Sequence, residues 1–120
     1  LTSNFKIMKS LRNSVQLIGN LGMDPEVKQV SNGNKMARFS LATTETYKNQ
    51  RGEKVTDTQW HNIIIWGGLA DVAEKYLKKG KQIAIEGRLE TNAYDDKEGK
   101  RRFFTQVNVN DLVMLSKESN

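Results

Sequence analysis

The stretch from Trp60 to Leu89, WHNIIIWGGLADVAEKYLKKGKQIAIEGRL, constrains the fold more than any other part of the chain. It reads as a strand, a Gly-Gly turn, one short amphipathic helix, a glycine stop and a second strand. Leu69, Val72, Ala73, Tyr76 and Leu77 recur at the spacing of a single apolar helical stripe, while Asp71, Glu74, Lys75 and Lys78 fall off it. Gly80 is expected to end that helix after two lysines, whose charge suits the negative end of the helix dipole. The only two tryptophans stand six residues apart at the ends of the first strand, so Trp60 and Trp66 point to one side of a sheet together with Asn62 and Ile64.

Elsewhere strand signals dominate. Val15 to Leu21 is apolar and β-prone and stops at Gly22 and the Asp24-Pro25 turn signal. Val27 to Val30, either a separate strand or a continuation of the first, meets Met36 to Thr44 across Asn32-Gly33, a dipeptide suited to the positive φ angles of a tight hairpin. Lys48 to Asp57 is polar and is expected to be an exposed loop carrying Lys48, Arg51 and Lys54. After the strand Thr58 to Trp66 and the helix come a strand from Gln82 to Tyr94, a charged loop from Asp95 to Arg102, and a final β-run from Phe103 to Leu115. In that run Phe103, Thr105, Val107 and Val109 share one parity. Three strands, a helix and two more strands is the order of an all-β, five-stranded OB-fold Greek-key barrel, with the helix between strands 3 and 4 plugging one end.

With 120 residues the chain has room for one domain and one core. Its net charge of +5 favours a polyanionic partner without naming it. The absence of cysteine excludes disulfides and thiolate zinc sites, and a single histidine argues against a His-based metal centre. No apolar run approaches the ~18 residues of a membrane-spanning helix, and no signal-peptide core opens the chain. Leu1 to Ile7 precede Met8 without a clear pattern, so Met8 is the expected natural start and residues 1–12 an N-terminal extension to a domain over 13–115. Paired carboxylates can be drawn from Asp95 with Asp96 or from Glu86 with Glu90, but they fall in a charged loop or on a polar strand face, where solvated acids are the default. Nucleophilic, zinc and nucleotide-hydrolysing mechanisms all lack parts, so the chain reads as a non-enzyme. GNLG at Gly19 to Gly22 matches the GxxG loop of KH domains in form only. It lacks their flanking helices, and reads instead as a strand end and turn.

Two flat rings on one face of a basic domain suggest a platform on which unpaired bases stack, since every base has a π-face and its phosphate attracts cations. Four segments make the resemblance specific: GNLGMDPEV (Gly19 to Val27), FSLATTETY (Phe39 to Tyr47), TQWHNIIIWGGLADVAEKYLKKG (Thr58 to Gly80) and IEGRLETNAY (Ile85 to Tyr94). In this order and spacing the chain resembles the bacterial single-stranded DNA-binding protein family from Asn13 to Leu115. The resemblance implies a cytoplasmic, nucleoid-associated homotetramer that wraps single-stranded DNA in replication, recombination and repair, with no cofactor. It implies stacking by Tyr47, Trp60, Trp66 and Tyr94, and phosphate contacts from Lys48, Lys79 and Arg102, with Arg51, Lys54, Arg88 and Arg101 as further cations. It also places His61 near a subunit interface. Where the family often carries arginines before the last aromatic, this chain has Glu90 and Asn92. The family's acidic C-terminal tip, which recruits replication and repair proteins, has no counterpart in residues 116–120, SKESN; such partners are implied only for a longer protein that carries it.

Plainer readings stand beside these. The tryptophans also fit a core, and loop lysines are most often solvated charge. Arg88, Glu90 and Asn92 share the parity of Tyr94, which marks the solvent side of that strand. His61 has the opposite parity to the tryptophans, with Ile63 and Ile65, and that face is the expected subunit contact. A primosomal OB-fold relative acting as a dimer and a protein-interaction module using sheet edges are the alternative functions.

Overall fold

The computed structural model describes residues 11–30 and 33–115. The expectations for residues 1–10, for Asn32 and for the C-terminal 116–120 lie outside the described residues.

Strands β1 (Val15–Leu21), β2 (Glu26–Gln29), β3 (Lys35–Lys48) and β4 (Lys54–Trp66) precede helix α1 (Gly68–Tyr76), which is followed by β5 (Gln82–Asp95) and β6 (Arg101–Met114). Five of the strands close a ring. β1 pairs with β5, β5 with β6, β6 with β4, β4 with β3, and β3 returns to β1 at Leu21↔Leu41 and Asn20↔Ala42. All pairings are antiparallel except β4 with β6, where Ile63↔Val107 and Ile64↔Asn108 run parallel. This is the expected OB-fold barrel, its helix between the third and fourth strands of the ring. β2 is a separate strand, lying along the same edge of β3 that β1 reaches further on.

Alternation decides what the ring encloses. Ala37, Phe39 and Leu41 on β3, Ile63 and Ile65 on β4, Ile83 and Ile85 on β5, and Val107 and Val109 on β6 are all buried. Each such large side chain contributes about 1.5–3 kcal/mol relative to exposure. The face carrying Ile63 and Ile65 is therefore the barrel interior, which corrects its reading as a subunit contact: alternation along one strand does not distinguish a protein's own core from a partner's surface.

Helix α1 closes one end of the barrel through Ala70, Ala73 and Leu77. It is shorter than its sequence pattern. Leu77 already has extended backbone, and its N–H ends the helix on the Ala73 carbonyl at 3.0 Å. Gly80 acts later, in the turn into β5, where its N–H reaches the Leu21 carbonyl at 2.7 Å. The buried line runs through Ala70, which the apolar stripe omitted, Ala73 and Leu77, and Tyr76 is 53% exposed. Lys35 holds the helix to β3, its Nζ lying 2.7 Å from Asp71 and 2.8 Å from Glu74. Those two carboxylates, Asp71 foremost, raise the Lys35 ammonium well above the usual lysine range.

Both charged loops are shorter than expected, each a five-residue turn. β3 and β4 stay paired out to Lys48↔Lys54, and β5 and β6 out to Asp95↔Arg101. Each ribbon ends in a turn of the same design. The Asn49 side-chain oxygen accepts the N–H groups of Arg51 and Glu53, both at 2.9 Å, and the Asp96 carboxylate accepts those of Glu98 at 2.9 Å and Lys100 at 2.8 Å. Gly52 and Gly99 supply the positive φ that each turn needs, 77° and 80°. Between β2 and β3, Val30 N–H bonds to the Asn34 carbonyl at 2.8 Å. No helix among the described residues is long and apolar enough to cross a membrane.

Candidate nucleic-acid interface

The outward positions of β2, β3, β4, β6 and β5 form one continuous concave surface. Register sets its rows: Glu26, Arg38, Ile64, Asn108 and Arg88 follow one another across five strands, and Lys28, Met36 and Trp66 across three. Ile64 is buried although it shares the parity of the tryptophans, flanked in register by Arg38 and Asn108 on the neighbouring strands. Either side of it the aromatics are open. Trp60 is 62% exposed and Trp66 41% exposed, and Asn62 between them is exposed and donates its amide to the Thr105 carbonyl at 3.3 Å. Six residues of strand separate the two rings by about 20 Å, room for different bases.

Trp60 owes its position to Gly22. The indole lies over the glycine so closely that a Cβ there would meet Cζ3 at 2.3 Å and Cη2 at 2.9 Å, and the Ser40 hydroxyl at 2.8 Å. One edge of the ring is thus seated on backbone while most of its area stays open to solvent.

Across from this wall, the β5–β6 ribbon brings up Tyr94, 50% exposed, with Phe104 packed edge-on against it at a centroid distance of 6.0 Å. Between the β3–β4 face and this ribbon runs a groove of about 570 Å³ lined by Met23, Arg38, Ser40, Asn62, Tyr94, Phe104 and Gln106 among others, with Trp60 and Trp66 on β4 outside that lining. Phe104 and Arg38 are interface candidates that the sequence reading missed. Their parity was available: Phe104 alternates with the series that ends in the buried Val107 and Val109, and Arg38 sits between the inward Ala37 and Phe39.

The other expected residues are dispersed. Tyr47 is 53% exposed but pairs with Val55 and carries the parity of His61, not that of Trp60. It lies near the β3–β4 tip with Lys48, Arg51 and Lys54, outside the groove lining. None of these three cations has an ion-pair partner among the described residues, and Lys48 and Lys54 stand directly opposite each other. Lys79 follows the helix, its backbone N–H bonded to the Asp24 carboxylate at 2.9 Å, also outside the groove. Arg101 is exposed at the start of β6.

Two arginines are compensated within their own ribbon. Arg102 Nε is 2.9 Å from Asp96, and this bond is the main cause that holds the Asp96 carboxyl below its ordinary range. Arg88 is bound to Glu90 at 3.2 Å, and Glu90 also accepts the amides of Asn108 at 3.0 Å and Gln106 at 3.3 Å. Asn108 foremost lowers the Glu90 pKa. The carboxylates once considered as catalytic pairs are thus occupied, Asp96 in a turn and Glu90 in a cross-strand network. His61 is half-buried at the barrel mouth, its Nε2 2.9 Å from the Thr43 hydroxyl. No group of three or more metal-ligating side chains occurs among the described residues.

Comparison with known proteins agrees with this geometry. The model of the single-strand binding protein family matches residues 12–115. Single-stranded DNA-binding protein 1 of Chlorobaculum tepidum is 45% identical over 104 residues, covering 86% of this chain and 64% of the relative. The protein of the same name from Xylella fastidiosa is 41% identical over 107 residues, 88% of this chain and 79% of the relative. This chain therefore spans less than two thirds of the length of the first of these relatives. Among solved structures, a Plasmodium falciparum SSB in complex with ssDNA superposes with a TM-score of 0.80 at 31% identity, covering 87% of this chain and 95% of the other. Matched over nearly all its described residues, the chain belongs to the single-strand binding protein family.

Proposed function

We propose that this chain binds single-stranded DNA with little regard to sequence, laying bases on Trp60, Trp66, Tyr94 and Phe104 and attracting phosphates with the surrounding cations, and that it protects such strands during replication, recombination and repair. The observation that carries the reading is the open indole of Trp60, seated on Gly22 and on the same strand as Asn62, which lines a groove shared with the Tyr94–Phe104 pair. Stacking of this kind contributes about 1–3 kcal/mol per base and is denied to a duplex, whose bases already stack on one another. Preference for single strands follows from that. The phosphate term weakens with salt by a log-log slope of about −0.7 per phosphate neutralised. Titration with oligo-dT should quench tryptophan fluorescence strongly and a duplex of equal length weakly. Equal quenching by both would remove the stacking mechanism.

The active form is a homotetramer in this reading. Support comes from a second exterior surface, where Ile18, Ala84 and Val113 form one cross-strand row with both ends well exposed, flanked by the polar row Gln16, Glu86 and Asp111. An apolar row of this kind on a sheet exterior is suited to cover by another copy, and His61 at the barrel mouth is a further contact candidate. Light scattering at micromolar protein should give four protomers; a stable dimer would favour the primosomal-type alternative, and a monomer would remove wrapping altogether.

A further inference from the structure

We infer that Glu90 limits how tightly the groove holds a nucleic acid strand: its carboxylate engages Arg88 and keeps phosphate off the β5 wall, so that the strand's backbone is carried by Arg38 and Lys28 on the opposite wall. The inference rests on the single-strand-binding reading above.

Arg38 and Arg88 mark two ends of one row, Arg38↔Ile64, Ile64↔Asn108 and Asn108↔Arg88. Three strand spacings put their Cα atoms about 14 Å apart. Arg38 lines the groove and Arg88 stands at the other end of this row, and the two cations differ. The Arg88 guanidinium meets Glu90 Oε2 through both Nε at 3.3 Å and Nη2 at 3.2 Å. A phosphate approaching it must displace or face a carboxylate that Asn108 and Gln106 hold in place. The same amide bonds favour the ionised form, so the anion is present throughout the neutral range. Arg102, on the same face at the ribbon tip, is tied to Asp96 in the same way. Arg38, by contrast, has no ion pair among the described residues, although Glu26 stands opposite it in register. Lys28 is likewise unpaired and shares a row with Trp66. The β5–β6 half of the groove thus offers aromatic rings with its arginines compensated, and the β2–β3 half offers free positive charge.

The test is the salt dependence of oligo-dT affinity in four variants of the full chain. Glu90→Gln keeps an oxygen for its amide neighbours but releases Arg88. It should bind more tightly at low salt, with a slope steeper by about 0.7, equivalent to an extra factor of about 2.6 between 50 and 200 mM salt. Arg88→Ala should leave the parent slope unchanged, and Arg38→Ala should flatten it by about 0.7. The Arg88→Ala/Glu90→Gln double variant should return to the parent slope. A flatter slope in Arg88→Ala, or an unchanged one in a folded Glu90→Gln, overturns the inference. If Glu90→Gln loses its fold by circular dichroism, Arg88→Ala decides alone, because Arg88 is exposed and its removal leaves no core defect. A parent chain that fails to bind oligo-dT overturns the underlying reading instead, a result distinct from any of these.

Discussion

Replacing Gly22 by alanine brings a methyl group to 2.3 Å from Trp60 Cζ3 and 2.9 Å from Cη2. Carbon atoms in contact sit about 3.5–4.0 Å apart, so the indole must retreat by more than 1 Å or tilt off the backbone. Gly22 is not in the left-handed region, and alanine meets no backbone strain there. The effect therefore falls on the ring and on the Ser40 hydroxyl, 2.8 Å from the added methyl group. If stacking on Trp60 contributes about 1–3 kcal/mol, losing its geometry should weaken oligo-dT binding by about 5-fold to 150-fold. Equilibrium titration of Gly22→Ala, Trp60→Ala and the double variant measures this, with thermal unfolding as the control for fold. The double variant should bind close to Trp60→Ala and well short of additivity, because most of the clash is with the indole and only the Ser40 hydroxyl, 2.8 Å from the methyl group, remains to give way. Parent affinity in Gly22→Ala, or full additivity in the double variant, would refute the claim that Gly22 positions the stacking ring.

Other consequences are equally specific. Tyr94→Ala should weaken oligo-dT binding by about 1–3 kcal/mol with little change in melting temperature, since the ring is half exposed and touches chiefly Phe104. Lys48→Glu should lower affinity and flatten the salt slope, read from titrations at several salt concentrations; an unchanged slope would take the β3–β4 tip off the strand's path. Ile65→Ala should cost about 2–5 kcal/mol in denaturant unfolding, a core loss unrelated to any interface. Asp96, whose folded pKa lies below its ordinary 3.8, adds stability to the β5–β6 tip that is complete above that value and lost as pH falls through the lower folded one. Asp96→Asn should keep the turn, as Asn49 does in its twin, and abolish this acid dependence in amide exchange at the tip, whereas Asp96→Ala should fray it at all pH values.

The barrel was legible because its strands alternate cleanly where they enclose the core and because one amphipathic helix interrupts them. The ribbons were not. Beyond Thr43 and Leu89 both faces of each ribbon meet solvent, so alternation fades and Lys48 to Asp57 and Asp95 to Arg102 look like loops. Five-residue turns capped by Asn49 and Asp96 leave the strands paired almost to their ends. The same limit applied to the site. Parity along one strand sufficed to put Trp60 with Trp66, and Tyr94 with Arg88 and Glu90. It missed what depends on neighbouring strands: the burial of Ile64 between Arg38 and Asn108, the compensation of Arg88 and Arg102, and the edge-on approach of Phe104 to Tyr94. For Ile63 and Ile65 parity was right and its interpretation wrong, since the shared face turned inward.

The central claim is that a single strand lies in the groove between the Trp60 wall and the Tyr94–Phe104 wall. Photocrosslinking with an oligonucleotide carrying 5-iododeoxyuridine, followed by mass-spectrometric mapping of the adducts, reads the contact directly. The account predicts adducts on Trp60, Tyr94 and Phe104, suppressed by excess oligo-dT and untouched by excess duplex. Adducts confined to the Ile18 and Val113 surface, or to the β3–β4 tip around Tyr47, would contradict it.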